Sequence, residues 1–398
     1  MKEKQKIAIV TWFFPKISET FILNQIVFLI DNGYEIKIFA ARDATKNIPK
    51  EDLYVEEKIH PALIQYNLLK KTTYVPVGNL SKILTMEAQA GKINIIYFQF
   101  SDLASLVLKD GAIHIPVITV IHDIPKITIK NQKLLKNKFY NAFQNATFVL
   151  AISDFAKNKI IKLGCSPLKI IIHPMGVNNN IFSFKARKFP LHKLCFTMVG
   201  RFVPKKGFDI GIRAIEKFKK QNQNLKISVN LIGDGYLRSK LEILVNKLGL
   251  QKEVTFLGKI DQLAVVNILK DTDIFLCPSK TDSQGEQEGL PVSLIEASFM
   301  GIPIVTTSNA AIPELASINK SIVLVPEGSV VGLVDGINKV FKYHSLYLRL
   351  INQYYKNLVE HYDINVLGIN LINIFDYAIK INILRDTQEG FSSNRKIK

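Results

Sequence analysis

Between Asp273 and Met300 the chain reads DIFLCPSKTDSQGEQEGLPVSLIEASFM, an apolar run, a polar loop with two glycines and a second apolar run. The first run, Asp273–Cys277, has the length of a strand buried on both faces, which is the habit of parallel sheets. The second, Val292–Met300, is long enough for a helix, and Pro291 predicts its start because the missing N–H of proline is an orphan there anyway. The amides of Gly289 and Leu290 then point off a helix N-terminus, a ready anion site. Glu288 lies in the loop, and Glu296 lies about a turn and a half inside the helix. An anion site bracketed by two carboxylates that accept from hydroxyls suits a sugar attached to a phosphate.

The same strand–loop–helix unit recurs along the chain. Ile7–Thr11, Phe21–Ile30 and Tyr34–Ala40 form a βαβ opening, which argues for an α/β fold with a parallel sheet. Helical patches follow near Leu53–Ile59 and Leu80–Ala90, a strand at Ile93–Phe98 and a helix at Leu103–Lys109. Ile115–Ile121 is a buried strand ending in His122-Asp123, and Thr147–Ile152 and Lys169–Ile172 close this series. The segment His173–Phe189 has turn residues and little periodicity, so it reads as a linker. A second series begins at Leu194–Val199 and repeats through Ile322–Val325 before helices from Val330 finish the chain. At 398 residues the chain exceeds one ordinary core, so two doubly wound domains with a ligand between them are expected.

Loops at the carboxyl ends of strands are where such sheets bind ligands. The first, WFFPKISET, offers Ser18, Glu19 and Thr20; Ser18 and Thr20 read as helix caps, and Glu19 as either a solvated first-turn residue or an acceptor contact. His122 stands at a comparable edge, and its functional reading is preferred to a structural one. Gly200-Arg-Phe-Val-Pro-Lys-Lys-Gly207 lies between a strand and a helix. Its glycines let backbone approach a phosphate, while Arg201 and Lys206 neutralise a diphosphate. It is not a Walker A loop, and no GxGxxG opens the first βαβ unit, which weakens a dinucleotide oxidoreductase.

The formal charge is +18, and residues 1–190 hold 26 Lys/Arg against 14 Asp/Glu. Such a half suits phosphate-bearing or membrane-surface partners. The lysines interleaved with apolar residues over Ile124–Phe143 read in two ways. The preferred one is a surface helix with its apolar face in the core; the other is a helix lying on an anionic membrane. The basic residues are otherwise dispersed and no nucleic-acid motif is present, so no nucleic-acid partner is expected. Cys165, Cys195 and Cys277 show no metal-ligand spacing, which fits a reduced cytoplasmic compartment, with peripheral contact at the inner membrane face left open. The N-terminus reads as a strand rather than a signal peptide, and no run approaches the ~20 apolar residues that span a bilayer.

In order, VGRFVPKKGFD, LIGDGYLRSKL, VTFLGK, DIFLCPS, EQEGLPVSLIEA and GIPIV…IPEL resemble retaining glycosyltransferases of family 4. Upstream, FPKISETFILNQI resembles the capsular and exopolysaccharide, colanic-acid-like branch. The resemblance implies a GT-B fold, two Rossmann-like domains facing across a cleft, with an acceptor domain at 1–185 and a nucleotide-sugar domain at 186–365. A C-terminal helix within 366–398 would pack back on the first domain and end in a frayed tail. It further implies that Arg201 and Lys206 hold the diphosphate without a metal or cofactor, beside Gly200 and Gly233. Glu288 would bind the donor sugar near the amides of Gly289 and Leu290, Glu296 the ribose, and the Gly258–Ile260 backbone the base. His122 matches the histidine that reaches across to the donor sugar. A glycan or lipid-linked acceptor would lie near Ser18, Glu19 and Asp102. Three departures stand out: Ala310-Ala311 replaces the family's glycine pair, the N-terminal loop lacks the paired glycines of many members, and His122 is followed by Asp123 rather than glycine. The expected activity is metal-independent hexosyl transfer in surface polysaccharide synthesis. A nucleotide-sugar epimerase or small-acceptor synthase of the same fold is the alternative.

Overall fold

The computed structural model describes residues 5–15, 19–41, 60–111, 113–122, 126–190 and 192–393. Strands β1 (Lys6–Thr11), β2 (Glu35–Ala40), β3 (Thr72–Tyr74), β4 (Ile95–Phe98), β5 (Val117–Ile121), β6 (Phe148–Ala151) and β7 (Ile170–Ile172) form the first sheet. All pair in parallel, in the order β3-β2-β1-β4-β5-β6-β7. The second sheet contains β8 (Lys193–Val199), β9 (Lys226–Ile232), β10 (Val254–Gly258), β11 (Ile274–Cys277), β12 (Ile304–Thr307) and β13 (Ile322–Val325). Its parallel order is β10-β9-β8-β11-β12-β13. Each sheet reverses direction once, between β1 and β4 and between β8 and β11. Helices from successive connections pass to opposite faces there and leave a crevice at the carboxyl ends.

The strands are near-continuous aliphatic runs because both faces are covered. Ile7, Ile9, Ile95, Ile96 and Phe98 have no exposed surface, nor do Phe196, Leu231, Ile274 and Phe275 in the second sheet. Each such side chain contributes roughly 1.5–3 kcal/mol through burial. Helix Gln132–Asn145 buries Leu135, Phe139, Ala142 and Phe143, which is the core-facing reading of the lysine-rich stretch. The helix is shorter than that stretch: 126–131 are not helical.

The segment after β7 crosses to the second domain. Arg187 fixes it there by donating to the carbonyls of Met300, Thr272 and Leu269, near the ends of two helices of the second domain. Val177 pairs with the returning chain, its N–H donating to Tyr362 O at 2.9 Å and its carbonyl accepting from Ile364 N at 3.0 Å. The two crossings are therefore one hydrogen-bonded unit.

The last helix, Ile364–Ser393, returns to the first domain, where Leu371, Phe375 and Ala378 join the core. Its segment Ile364–Leu384 is long and apolar enough to cross a membrane by length and composition, which the sequence reading had not expected of any segment. Asp376 and Lys380 interrupt the apolar run, and one face is taken up by the core. Gly368 lies close against helix Thr20–Asp31, since a Cβ there would come within 2.3 Å of the Phe28 ring. Gly368→Val should push the two helices apart and lower stability by about 1–3 kcal/mol. A urea midpoint unchanged from wild type would show that the helix docks elsewhere.

Candidate active site

Two loops meet at the β8/β11 crevice, 200–207 after β8 and 278–291 after β11. Gly207 has φ +64, and a Cβ on it would sit 1.9 Å from Pro278 O. Gly233, with φ +128, lies equally close to Gly200 O. Side chains at either position would drive the loops apart, so glycine is what lets backbone pack on backbone. Gly233 N also donates to Gly258 O at 2.8 Å, which ties in the loop carrying the half-buried Ile260.

This packing brings the stem of Lys206 across Gly200 and its ammonium to 2.9 Å from Glu288 Oε2. The two side chains are only 15% and 7% exposed. Glu288 Oε1 is buried without a hydrogen-bond partner, a costly state that a donor hydroxyl would relieve. Arg201 is exposed and its side chain has no partner among the described residues. The amides of Gly289 and Leu290 are likewise unbonded there, while the Leu290 side chain anchors the loop in the core. Pro291 is the cap residue, with ψ 120°, and the helix begins at Val292. The chain enters extended, so Pro291 stands one place earlier than the sequence predicts and both free amides precede the helix.

The loop is braced from behind. Asn309 Oδ1 accepts from Glu288 N at 3.3 Å, and Glu327 accepts from Thr281 N at 2.8 Å and from the Asn309 amide. Burial raises the Glu327 carboxyl, but these hydrogen bonds outweigh it and hold the group below its ordinary value. Ala310 has φ +47, the left-handed region that favours glycine. The turn that the glycine pair would make is thus kept by an alanine at a cost in strain.

Glu296 lies in an adjoining narrow cleft between the domains. Thr20, Phe21 and Asn24 line it from the first domain, with Gly176–Asn178, Gln262 and Val292 also lining it. The residue is half-buried, and its carboxyl oxygens are not fully enclosed. Among the described residues it has neither counter-charge nor hydrogen bond, and burial pushes it up to about 7.

His122 follows β5 on the opposing wall, its ring 4.8 Å from Phe21 and 5.4 Å from Phe100, centroid to centroid. Neither ring nitrogen has a well-formed hydrogen bond. Burial pushes the imidazole down to about 4, opposed by the Gln99 backbone, so it is neutral at pH 7 and keeps one N–H to donate. A Cβ on Gly289 would lie 2.6 Å from His122 O, so the donor loop and the His122 backbone touch. Gly200, Lys206, Gly233, Glu288, Gly289 and His122 thus form one constellation, with Glu296 next to it.

The acceptor-side candidates are placed differently. Ser18 lies outside the described residues, and Glu19 precedes helix Thr20–Asp31 without capping it through its side chain. Thr20, read as a cap, is the first helical residue. Asp102 is already engaged: Oδ1 accepts from Trp12 Nε1 at 3.1 Å and from Leu103 N at 2.9 Å, and Oδ2 meets Lys138 Nζ at 3.1 Å.

Several residues were invisible to sequence reasoning. Glu314 crosses to the first domain, accepting from Asp154 N at 2.9 Å and Phe155 N at 2.7 Å at a helix start. Gln99 is fully buried with its Nε2 on Gln25 and its Oε1 unpartnered. Glu314 falls in the quoted IPEL run, but nothing there says what it touches. A cavity of about 660 Å³ beside the start of β2, lined by Tyr34, Lys37, Lys70 and Glu87 among others, is at the other end of the sheet. Among the described residues no cluster of three or more His, Cys, Asp or Glu could hold a metal.

Residues 179–357 match the family model "Glycosyl transferases group 1", and residues 18–180 match "Glycosyltransferase Family 4". The chain is 28% identical to the putative colanic acid biosynthesis glycosyltransferase WcaL of Escherichia coli, over 90% of this chain and 95% of that one. It is 29% identical to the amylovoran biosynthesis glycosyltransferase AmsK of Erwinia amylovora, over 82% and 88%. Among solved structures, Anabaena HepE in complex with UDP superposes with a TM-score of 0.73 at 17% identity, over 94% of this chain and all of that one. The last likeness speaks to the fold alone, which is GT-B.

The Glu296 environment makes a pH prediction. A carboxyl raised in the folded state binds its proton more tightly than in the unfolded chain, so its ionisation lowers stability as pH rises from its ordinary value through about 7. Glu296→Gln should therefore gain on wild type by on the order of 1–3 kcal/mol between about pH 5 and pH 8, with the two alike at the acid end. Parallel stability–pH curves from urea titrations would mean that the carboxyl titrates normally.

Proposed function

The chain belongs to glycosyltransferase family 4, and from that premise we propose that it moves a hexose from a nucleotide-diphosphate sugar to a glycan or lipid-linked acceptor. Glycosyl transfer in exopolysaccharide or lipopolysaccharide biosynthesis is its function; the donor, the retained stereochemistry and the acceptor are the finer parts of this reading. The observation that carries it is the buried Lys206–Glu288 pair, with Glu288 Oε1 buried and without a hydrogen-bond partner.

In this reading Lys206 and the exposed Arg201 neutralise the diphosphate, whose charge grows as the glycosidic bond breaks, so their stabilisation is greatest at the transition state. The two cations, rather than a bound metal or cofactor, carry that role. Glu288 Oε1 accepts from a hydroxyl of the donor sugar, and the neutral imidazole of His122 donates from the other wall. Glu296 accepts from the ribose diol, which favours its ionised form. Because Glu288 is tied to Lys206 it is poorly disposed as a nucleophile, and front-face departure and attack would retain configuration.

The acceptor side is read as lying against a membrane at the cytoplasmic face. Ile129 is 98% and Leu134 70% exposed, and Lys126, Lys130, Lys133 and Lys136 surround them with no acidic residue between 126 and 153. Apolar insertion and attraction to anionic lipid then act together.

A thermal-shift screen with UDP, GDP, ADP and CMP tests the donor site. One of them at 100 times its dissociation constant should stabilise by about 2.7 kcal/mol. Arg201→Ala, which breaks no contact, should lose most of that shift and lower transfer by about 100-fold while melting normally. Full activity in Arg201→Ala would remove the clamp from the mechanism. For the surface, the protein should float with phosphatidylglycerol vesicles but not phosphatidylcholine ones, and Lys130→Glu with Lys133→Glu should abolish flotation. Equal flotation with both lipids would refute the electrostatic part.

A further inference from the structure

Gln287, the neighbour of Glu288, is half-buried and uses both ends of its side-chain amide. Its Oε1 accepts from Lys159 Nζ at 3.0 Å, and Lys159 belongs to the helix Asp154–Lys162 of the first domain. Its Nε2 donates to Thr281 Oγ1 at 3.2 Å. Its main-chain carbonyl accepts from the buried Lys205 Nζ at 3.2 Å, one residue before the lysine that holds Glu288.

The chemistry of these partners allows the amide one orientation. An ammonium only donates, so the oxygen must face Lys159. A hydroxyl has one proton, and that of Thr281 goes to the Glu327 carboxylate, 3.1 Å from each of its oxygens. The lone pairs of Oγ1 are then left for donors, and they receive Gln287 Nε2 and, at 3.3 Å, Asn309 Nδ2. Asn309 is buried, and its other end accepts from Glu288 N at 3.3 Å. A continuous chain of hydrogen bonds thus runs from a cation of the first domain, through Gln287, Thr281 and Asn309, to the backbone of Glu288. Lys159 is itself placed by the domain contact. Its ammonium lies 4.6 Å from the centre of the Phe155 ring, and that ring packs against the core of the second domain.

We propose that Gln287 is a positioning residue that couples closure of the two domains to the placement of the Glu288 carboxylate. This rests on the transferase reading above, in which Glu288 faces the donor sugar, and adds the means by which that residue is set. The loop from Thr281 to Glu288 contains neither helix nor strand, so without these bonds Lys206 alone would hold the carboxylate. One ammonium fixes a distance but not the direction in which the second carboxylate oxygen faces. Holding Glu288 N and the carbonyl of Gln287 removes that freedom, and a misplacement of about 1 Å near a reacting centre costs about 100-fold in rate.

Hydrogen exchange of the full chain, read by mass spectrometry on peptides covering residues 281–291, tests the coupling without any substrate. Lys159→Met lies in the other domain, 128 residues from Gln287, and should nonetheless speed exchange of that loop several-fold, as should Gln287→Met. Turnover is followed as hydrolysis of the glucose, galactose or mannose conjugate of whichever nucleotide stabilises the protein. Both variants should lower kcat by about 10–100-fold with little change in KM, the mark of lost geometry at the reacting centre. Lys159→Arg should restore kcat, and the double variant should be no worse than Gln287→Met, because members of one chain are not additive. Gln287→Glu separates coupling from mere clasping. It turns the link to Lys159 into an ion pair, which a clasp would keep, but sets an acceptor against Thr281 Oγ1 beside Glu327, so kcat should fall as in Gln287→Met. Loop exchange unchanged in Lys159→Met, or wild-type kcat in Gln287→Glu, overturns the assignment. Faster loop exchange in a protein whose stability responds to no nucleotide keeps the coupling and removes the transferase reading instead.

Discussion

The contact between the donor loop and the first domain is the constraint on which the site depends. Gly289 meets the His122 backbone so closely that a Cβ would overlap its carbonyl oxygen. Lys126 N donates to Gly285 O at 2.9 Å, and Lys159 Nζ to Gln287 Oε1 at 3.0 Å. One loop of the second domain is thus gripped by the first at three places within five residues. Glu314 adds a fourth contact at the helix beginning at Asp154: Ser153 caps the Ala156 amide, and Glu314 takes the amides of Asp154 and Phe155, where the helix dipole favours an anion. A carboxylate there is satisfied only while the domains are together. Closure and the shape of the donor loop are therefore the same variable.

That coupling explains why polar groups can be left open at such depth. Unpartnered buried atoms are rare in folded proteins, yet Glu288 Oε1, both His122 nitrogens and Gln99 Oε1 are found here together. Each would be costly in an ordinary core. They are tolerated because the aliphatic strands beneath them supply a large surplus of burial, and because fixed dipoles and charges in a dry site do not have to reorganise during reaction. The single hydrogen-bonded hinge made by Val177 with Tyr362 and Ile364 keeps the two walls in register.

What the sequence disclosed follows from the range of the forces involved. Alternating buried strands and helices are local, so β1, β2, β4, β5, β6, β7 and the whole second sheet were legible from aliphatic runs and the turns between them. The GxxxxxxG loop and the Glu288–Glu296 spacing were legible because glycine and proline mark their own geometry. Pro291 was one place off because a cap and a first helical residue differ only in ψ, which the chain's direction of approach decides. Leu53–Ile59 lies outside the described residues. Glu314, Gln99 and the Trp12–Asp102 bond were not legible, since each depends on a partner 74 to 160 residues away in sequence.

The two carboxylates of the motif stand in opposite surroundings, as the proposed roles at two ends of one ligand require. Glu288 and Glu296 are separated by a proline that turns extended loop into helix, so their side chains leave the backbone in unrelated directions. Glu288 has an ammonium at 2.9 Å; Glu296 has no counter-charge among the described residues and is pushed up to about 7 by burial alone. Opposite surroundings for like groups are how a site divides roles between them. A carboxylate already balanced by a lysine can face a sugar without repelling the neighbouring phosphates. One that is uncharged for part of the time at pH 7 can be buried beside an apolar wall, and it gains its charge when a diol is there to solvate it. If the proposed donor binds there, binding at Glu296 would be linked to proton release, and binding at Glu288 to sharing of Lys206 with the phosphates. On the proposed reading, the two ends of the donor would be recognised by different physics within nine residues of chain.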